Sequence, residues 1–345
     1  MEYDAFLLVS FGGPEGPEDV MPFLRNVTRG RGIPEARLAE VAEHYRHFGG
    51  VSPINAQCRA LLDALRVEFA AAGLDLPLYW GNRNWDPYLE HTVRQLRDAG
   101  IGRAIAFVTS PYGSYSSCRQ YLNDIERART QVGAGAPVID KIRHYHDHPG
   151  HLAPHVDAVR AALATLPAHR RGTTRLVFTA HSIPTSMAAA SGPHGGRYEA
   201  QLREVATLVA GYAAPDLPWD LVWQSRSGPP QLPWLAPDVS DHLTTLAAAG
   251  TTGVVVSPIG FISDHLEVVW DLDTEAAETA KQLGLDFARA ATPGTDPRFV
   301  TMIRQLVQER LVPGSPRLAL GTVPTWDFCE PGCCGTGRPG PATTG

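Results

Sequence analysis

The chain of 345 residues lacks a basic excess: 30 lysines and arginines stand against 36 aspartates and glutamates, for a net charge of −6. Nucleic-acid grooves draw most of their affinity from Lys and Arg, so no nucleic-acid partner is expected. No apolar run reaches about 18 residues, which argues against a transmembrane helix. There is no basic stretch leading into an apolar signal core; the chain starts almost at once on the strand-like run Ala5–Val9. These absences predict a cytoplasmic protein. The first glycine turn, Phe11-Gly12-Gly13-Pro14, lacks both the GxGxxG pattern and a P-loop lysine, so nucleotide binding is not expected there. Cysteine is scarce and uneven, at Cys58, Cys118, Cys329, Cys333 and Cys334. In a reducing compartment such a set suits a metal site better than a disulfide framework.

What the chain does have is the composition of a folded protein, 43% hydrophobic and 19% charged, with 33 glycines and 29 prolines marking many loops. Its length allows one large α/β domain or two ordinary ones. The pattern favours two. Leu76–Trp80, a helix over about 88–98, the strand 103–109 and Ser110-Pro111-Tyr112-Gly113 form one series. Leu221–Trp223, a helix over about 238–248, the strand 252–256 and Ser257-Pro258-Ile259-Gly260 repeat it. Trp80/Trp223, Arg83/Arg226, Ser110/Ser257 and Gly113/Gly260 pair in order, as do the helix ends Asp98-Ala99-Gly100 and Ala248-Ala249-Gly250. The strand 175–179 before Ala180-His181-Ser182 then partners the opening strand. This reads as a diverged duplication of a βαβαβ unit: α/β, two similar Rossmann-like halves, each a parallel sheet flanked by helices.

The expected boundaries are 1–147 for the first half, 148–312 for the second and 313–345 for a Cys-containing Gly/Pro-rich tail. From Phe11 to Trp80 is 69 residues but from His181 to Trp223 only 42, so the first half carries an insertion at about 15–55. Extra chain beside a strand's carboxyl end is where a doubly wound sheet keeps its ligand. Cys58 falls on an apolar helix face with Leu61, Leu62 and Leu65 and reads as core. Residues 141–155 carry His144, His146, His148, His151 and His155 without a rigid metal-binding spacing, so they read as a polar connector between the halves. Residues 296–311 read as an amphipathic packing helix of the second half.

The chemistry-bearing stretch is Ser257–Asp273, where Asp264, Glu267, Asp271 and Asp273 follow a buried strand. Charge at such a place needs a proton, a cation or a ligand. His181 and Glu267 both follow strand ends of the second half, so parallel strands bring them to one edge, a pair suited to proton abstraction coupled to metal handling. Two bland alternatives stand beside this: Asp264-His265-Leu266-Glu267 has the form of a capping box, and His181 would serve as a hydrogen-bonded core residue. Setting Cys58 aside leaves four thiols, the number a [2Fe–2S] cluster needs; zinc, or unligated thiols in a loose tail, are the alternatives.

The motifs LLVSFGGPEGPEDV, HFGGVSPIN, TAHSIP, VWQSRSGPPQLPWLAPD and SPIGFISDHLEVVWDLD, spread over about residues 5–275, resemble the ferrochelatase family. The resemblance implies two Rossmann-like halves with a porphyrin between them and no bound nucleotide. It implies that His181 and Glu267 are the active-site histidine and catalytic glutamate that meet Fe(II), with Asp271 one turn on as a relay. The chain is most similar to the actinobacterial branch, which implies insertion of Fe(II) into coproporphyrin III to form coproheme. A protoporphyrin IX enzyme, or a non-catalytic haem or metal carrier, is the alternative. The matching positions for propionate contacts are Arg29, Arg31, Tyr45, Arg46 and Ser52, with Tyr121 from the first-half loop. Phe11 stands where some bacterial relatives carry a tyrosine, which removes a phenolate-type axial contact to iron. Cys118, Cys329, Cys333 and Cys334 match the ligands of cluster-containing members. Transient contact with other haem-biosynthesis enzymes is a further implication.

Overall fold

The computed structural model describes residues 2–337 apart from Arg31, Pro229, Pro230 and Pro331. The first half runs β1 (Ala5–Ser10), α1 (Val20–Val27), α2 (Glu35–His47), α3 (Ile54–Ala71), β2 (Leu78–Asn82), α4 (Leu89–Asp98), β3 (Arg103–Val108), α5 (Gln120–Val132) and β4 (Val138–Lys141). The second runs α6 (Pro149–Thr165), β5 (Arg175–His181), α7 (Thr185–Ala189), α8 (Arg197–Ala213), β6 (Trp219–Gln224), α9 (Val239–Ala248) and β7 (Gly253–Ser257). A composite helix follows, of α10 (Leu266–Val268), a π-helical stretch Val269–Ala276 and α11 (Ala277–Gln282), then β8 (Asp286–Arg289) and α12 (Pro297–Leu311).

Two four-stranded sheets result, ordered β2-β1-β3-β4 and β6-β5-β7-β8, with every pairing parallel. The central strands AFLLVS and GVVVS are buried throughout, as a sheet covered on both faces requires. Alternation along β1 sends Ala5, Leu7 and Val9 towards α4 and α5, and Phe6 and Leu8 towards α3.

The shared topology bears out the duplication and corrects its register. Asn82 donates its N–H to Pro87 O, and Trp223 does the same to Pro237 O, each across a cis X-Pro bond ahead of α4 or α9. Asn82, not Trp80, is therefore the counterpart of Trp223. Gly100 and Gly250, both at positive φ, end α4 and α9 alike, and counting from them makes Phe107 the counterpart of Ser257. The paired Ser-Pro-x-Gly loops are offset by three residues because the chain leaves the two sheets at different points. Each half does place a π-helical turn after its third strand, Tyr115–Arg119 and Val269–Ala276.

Two further expectations change. Helix α12 belongs to the second half by sequence, yet Phe299, Met302, Ile303 and Leu306 pack with Phe6, Leu8, Leu61, Ile105 and Phe107 of the first. The histidine-rich connector is not solvated: His144, His146, His148, His151 and His155 are all buried. The C-terminal chain covers it, with Leu320 N–H bonded to Asp147 O at 2.9 Å and Arg143 paired to Glu309 at 2.8 Å. Among the described residues, no helix is long and apolar enough to cross a membrane.

Candidate active site

The site is assembled where strand ends of the second half meet the first-half insertion. His181 is the last residue of β5, and its ring Nδ1 lies 2.5 Å from Ser182 O. A carbonyl only accepts, so Nδ1 carries a proton, and in the neutral ring the lone pair is on Nε2. Glu267 Oε2 lies 3.8 Å from that Nε2. Both side chains are partly open to solvent, at 35% and 50% exposure, so a ligand can reach the pair. The carbonyl of His181 accepts a bond from Tyr198 Oη at 2.9 Å, which ties the strand end to α8.

The capping-box alternative for Glu267 fails here. The residue at the helix entrance is His265, with no side-chain cap, and Asp264 turns instead to Arg289 at 3.1 and 2.9 Å. Arg289 also pairs with Asp273 at 2.5 Å. The acidic series thus divides by what neutralises it. Asp264 and Asp273 meet the guanidinium of β8. Asp271 meets a proton: burial, reinforced by the nearby Glu267 and Glu275 charges, pushes its carboxyl up to about 7 against the bonds from Ser225 and Gln224. Glu267 is left facing His181. The π-helical winding from Val269 spaces these side chains differently from an α-helix, a local distortion frequent at functional sites.

The insertion closes on this helix. Helices α1 and α2 share an apolar cluster of Val20, Phe23, Leu24, Leu38 and Tyr45 with Leu266 of α10. His44 stacks on Trp270 at 4.0 Å between ring centroids, and Phe48 meets the same indole edge-on. At the opposing strand end, register places Phe11 opposite the role of His181 in the duplicated unit, with the Arg83 guanidinium 5.7 Å from its ring.

The sequence-based propionate contacts do not converge. Arg46 is exposed and paired with Glu43, Arg29 is exposed, and Arg31 lies outside the described residues. Tyr45 packs in the α1–α2 cluster with only 5% of it exposed, and burial raises its hydroxyl well above the ordinary value. Tyr121 lies beneath Arg83, 4.4 Å from the guanidinium, in the first-half core. Ser52 is buried against the glycine turn, with its N–H bonded to Pro14 O. Sequence reasoning missed Gln224 and Ser225, which hold Asp271; their signal was two polar residues at the carboxyl end of β6, beside Arg226.

The four thiols set apart from Cys58 lie in one neighbourhood, as a chain of neighbours rather than a closed ligand set. Cys118, in the first-half π turn, neighbours Cys329, which in turn neighbours Cys333. Cys333 Sγ lies 3.7 Å from Cys334 Sγ, and Gly192 N–H donates to Cys334 Sγ at 3.2 Å. The neighbouring Cys118 thiol lowers Cys329 to about 6 against its burial, while Cys118 is held high by Cys329 and by burial. The cations Lys141 and Arg197 are both buried and face these sulfurs. Neighbouring thiols flanked by buried positive charge have the chemistry of an anionic metal–thiolate centre. Cys58 is, as expected, core, with burial pushing its thiol up to about 11.

The ferrochelatase family model matches residues 3–311. The chain belongs to the ferrochelatase family. As a member it is a porphyrin metal chelatase, a lyase. It is 55% identical to coproporphyrin III ferrochelatase of Nocardia farcinica over 347 residues, covering 98% of each chain. It is 53% identical to the protein of that name from Streptomyces griseus, covering 99% of this chain and 96% of the relative. Among solved structures, SirB from Bacillus subtilis with Fe3+ superposes with a TM-score of 0.54 at 12% identity, over 91% of this chain and 99% of that one. DR2241 from Deinococcus radiodurans gives a TM-score of 0.50 at 16% identity, over 89% of this chain and 55% of that longer one. At such identities the structural matches speak for the two-half fold alone.

Proposed function

We propose that the chain inserts Fe(II) into coproporphyrin III to give coproheme, with His181, Glu267 and Asp271 as its acid–base and metal-handling groups. The reading rests on family membership and on relatives at 53–55% identity that bear the name coproporphyrin III ferrochelatase. The observation that carries the mechanism is the His181 tautomer. Two pyrrole protons must leave as the dication enters. The free lone pair of Nε2 accepts a proton or meets Fe(II), and the Glu267 carboxylate 3.8 Å away balances the charge that develops. Asp271, which titrates near neutrality, passes protons on because it both gains and loses one readily at working pH. Arg29 and Arg46 are the exposed cations we assign to substrate carboxylates.

The four neighbouring thiols would hold a [2Fe–2S] cluster, Cys118 coming from the first half and Cys329, Cys333 and Cys334 from the tail. Such a centre supplies a one-electron couple and a cross-link between the two. Anaerobic turnover with Fe(II) and each porphyrin tests the substrate assignment: coproporphyrin III should be metallated at least about tenfold faster in kcat/KM than protoporphyrin IX, the size expected for charge-assisted carboxylate recognition. Equal turnover of the two removes the four-carboxylate preference.

A further inference from the structure

The connector between the halves carries polar side chains that the reaction does not use. His146 and Asp147 are 0% and 2% exposed, and a ring nitrogen of His146, a carboxylate oxygen of Asp147 and one of Glu204 on α8 all lie within 4.8 Å of one another. His146 Nε2 is 3.1 Å from Glu204 Oε2. The other oxygen of Glu204 is held by the C-terminal chain, accepting from the N–H of Thr322 and, at 3.0 Å, from the N–H of Val323. The carboxylate is therefore oriented with Oε2 towards the histidine.

The local charge does not balance. Asp147 and Glu309 are gathered around one guanidinium, Arg143, while Glu204 meets only the imidazole of His146 among these groups. Arg143 spends Nε and one terminal nitrogen on Glu309 at 2.8 and 2.9 Å, and approaches Asp147 Oδ1 only to 3.7 Å. Asp147 Oδ1 and His146 Nδ1 are buried with no hydrogen-bond partner. Burying carboxylates without compensation is costly, and a cation placed between them removes the cost.

We propose that His146, Asp147 and Glu204 form a divalent-cation site, separate from His181 and Glu267, which staples the connector and α8 under the C-terminal chain. One imidazole nitrogen and two carboxylate oxygens suit a borderline ion such as Zn2+ or Fe2+, with water completing the coordination. The chain at 320–323, fixed to Asp147 O and Glu204, closes over the site. Its task is structural, because it holds the approach of the tail to the body.

The test uses the full chain carrying His181→Ala and Cys333→Ser, which cripples the porphyrin site and the thiol group. After chelation, Co2+ is titrated and followed by visible absorption. The expected result is one equivalent with ligand-field bands and no thiolate-to-cobalt charge transfer, weakened at least about 100-fold by adding Asp147→Asn. In the unmutated chain, Zn2+ should slow hydrogen exchange at the Thr322 and Val323 amides. Cobalt bound only with thiolate charge transfer, no cobalt bound, or binding unchanged by Asp147→Asn overturns the proposal. If the Asp147→Asn chain does not fold, the exchange measurement decides, and unaltered protection at 322–323 refutes the site.

Discussion

At His181 the bond from Nδ1 to the Ser182 carbonyl leaves the lone pair of the neutral ring on Nε2. His181→Ala is expected to lower kcat for iron insertion by at least about 100-fold, the range for losing a positioned acid–base group. Its side chain is about one-third exposed, so thermal unfolding should hardly change; activity within a fewfold of the parent removes the residue from the mechanism. Asp271 makes a pH prediction. Its carboxyl is raised from 3.8 to about 7 in the folded chain, so between those values the folded state holds a proton that the unfolded state has lost. Stability from this group is complete below about pH 4 and falls as pH rises through 7. Asp271→Asn removes the titration and should gain on the parent by on the order of 2 kcal/mol between pH 5 and pH 8. Urea unfolding at the two pH values measures it, and an equal difference at both would show that Asp271 does not hold a proton.

The elements explain how distant residues become neighbours. The two π-helical turns follow equivalent strands, β3 and β7, yet one presents Cys118 and the other Glu267 and Asp271 nearby. The duplicated corner has diverged into a thiol site on one side and a carboxylate site on the other. Cys118→Ser should therefore abolish the visible absorption of a [2Fe–2S] centre and the matching iron and sulfide content, while the tail cysteines remain. Stoichiometric zinc in the parent, with no iron or sulfide, would instead make this a zinc site. The insertion shows a second element-scale effect: its extra length was legible, but the helix α2 and its His44–Trp270 stack depend on a partner helix over 200 residues away.

Over the whole molecule the halves are joined by α12 and by shared core. Phe299 is fully buried among Phe107, Tyr145 and His151, and Tyr112 of the first half reaches Ile259 O of the second at 2.6 Å. Phe299→Ala should cost about 3–5 kcal/mol in urea unfolding, as large-to-small core changes do; a loss under about 1 kcal/mol would mean that α12 does not bind the halves together. The strands, the repeat, the core role of Cys58 and the pairing of His181 with Glu267 were all readable from sequence, because each depends on local periodicity or on strand ends that a parallel sheet must place on one edge. The register of the repeat was not, since loops drift while hydrogen-bond ladders stay fixed. Nor was the fate of each acid in Ser257–Asp273. Which aspartate meets Arg289, which keeps a proton and which faces the histidine is settled by side chains from β5, β6 and β8, brought together only when the sheet forms. The same holds for the buried histidines, because only the C-terminal chain folding back over the connector turns a polar stretch into an interior one.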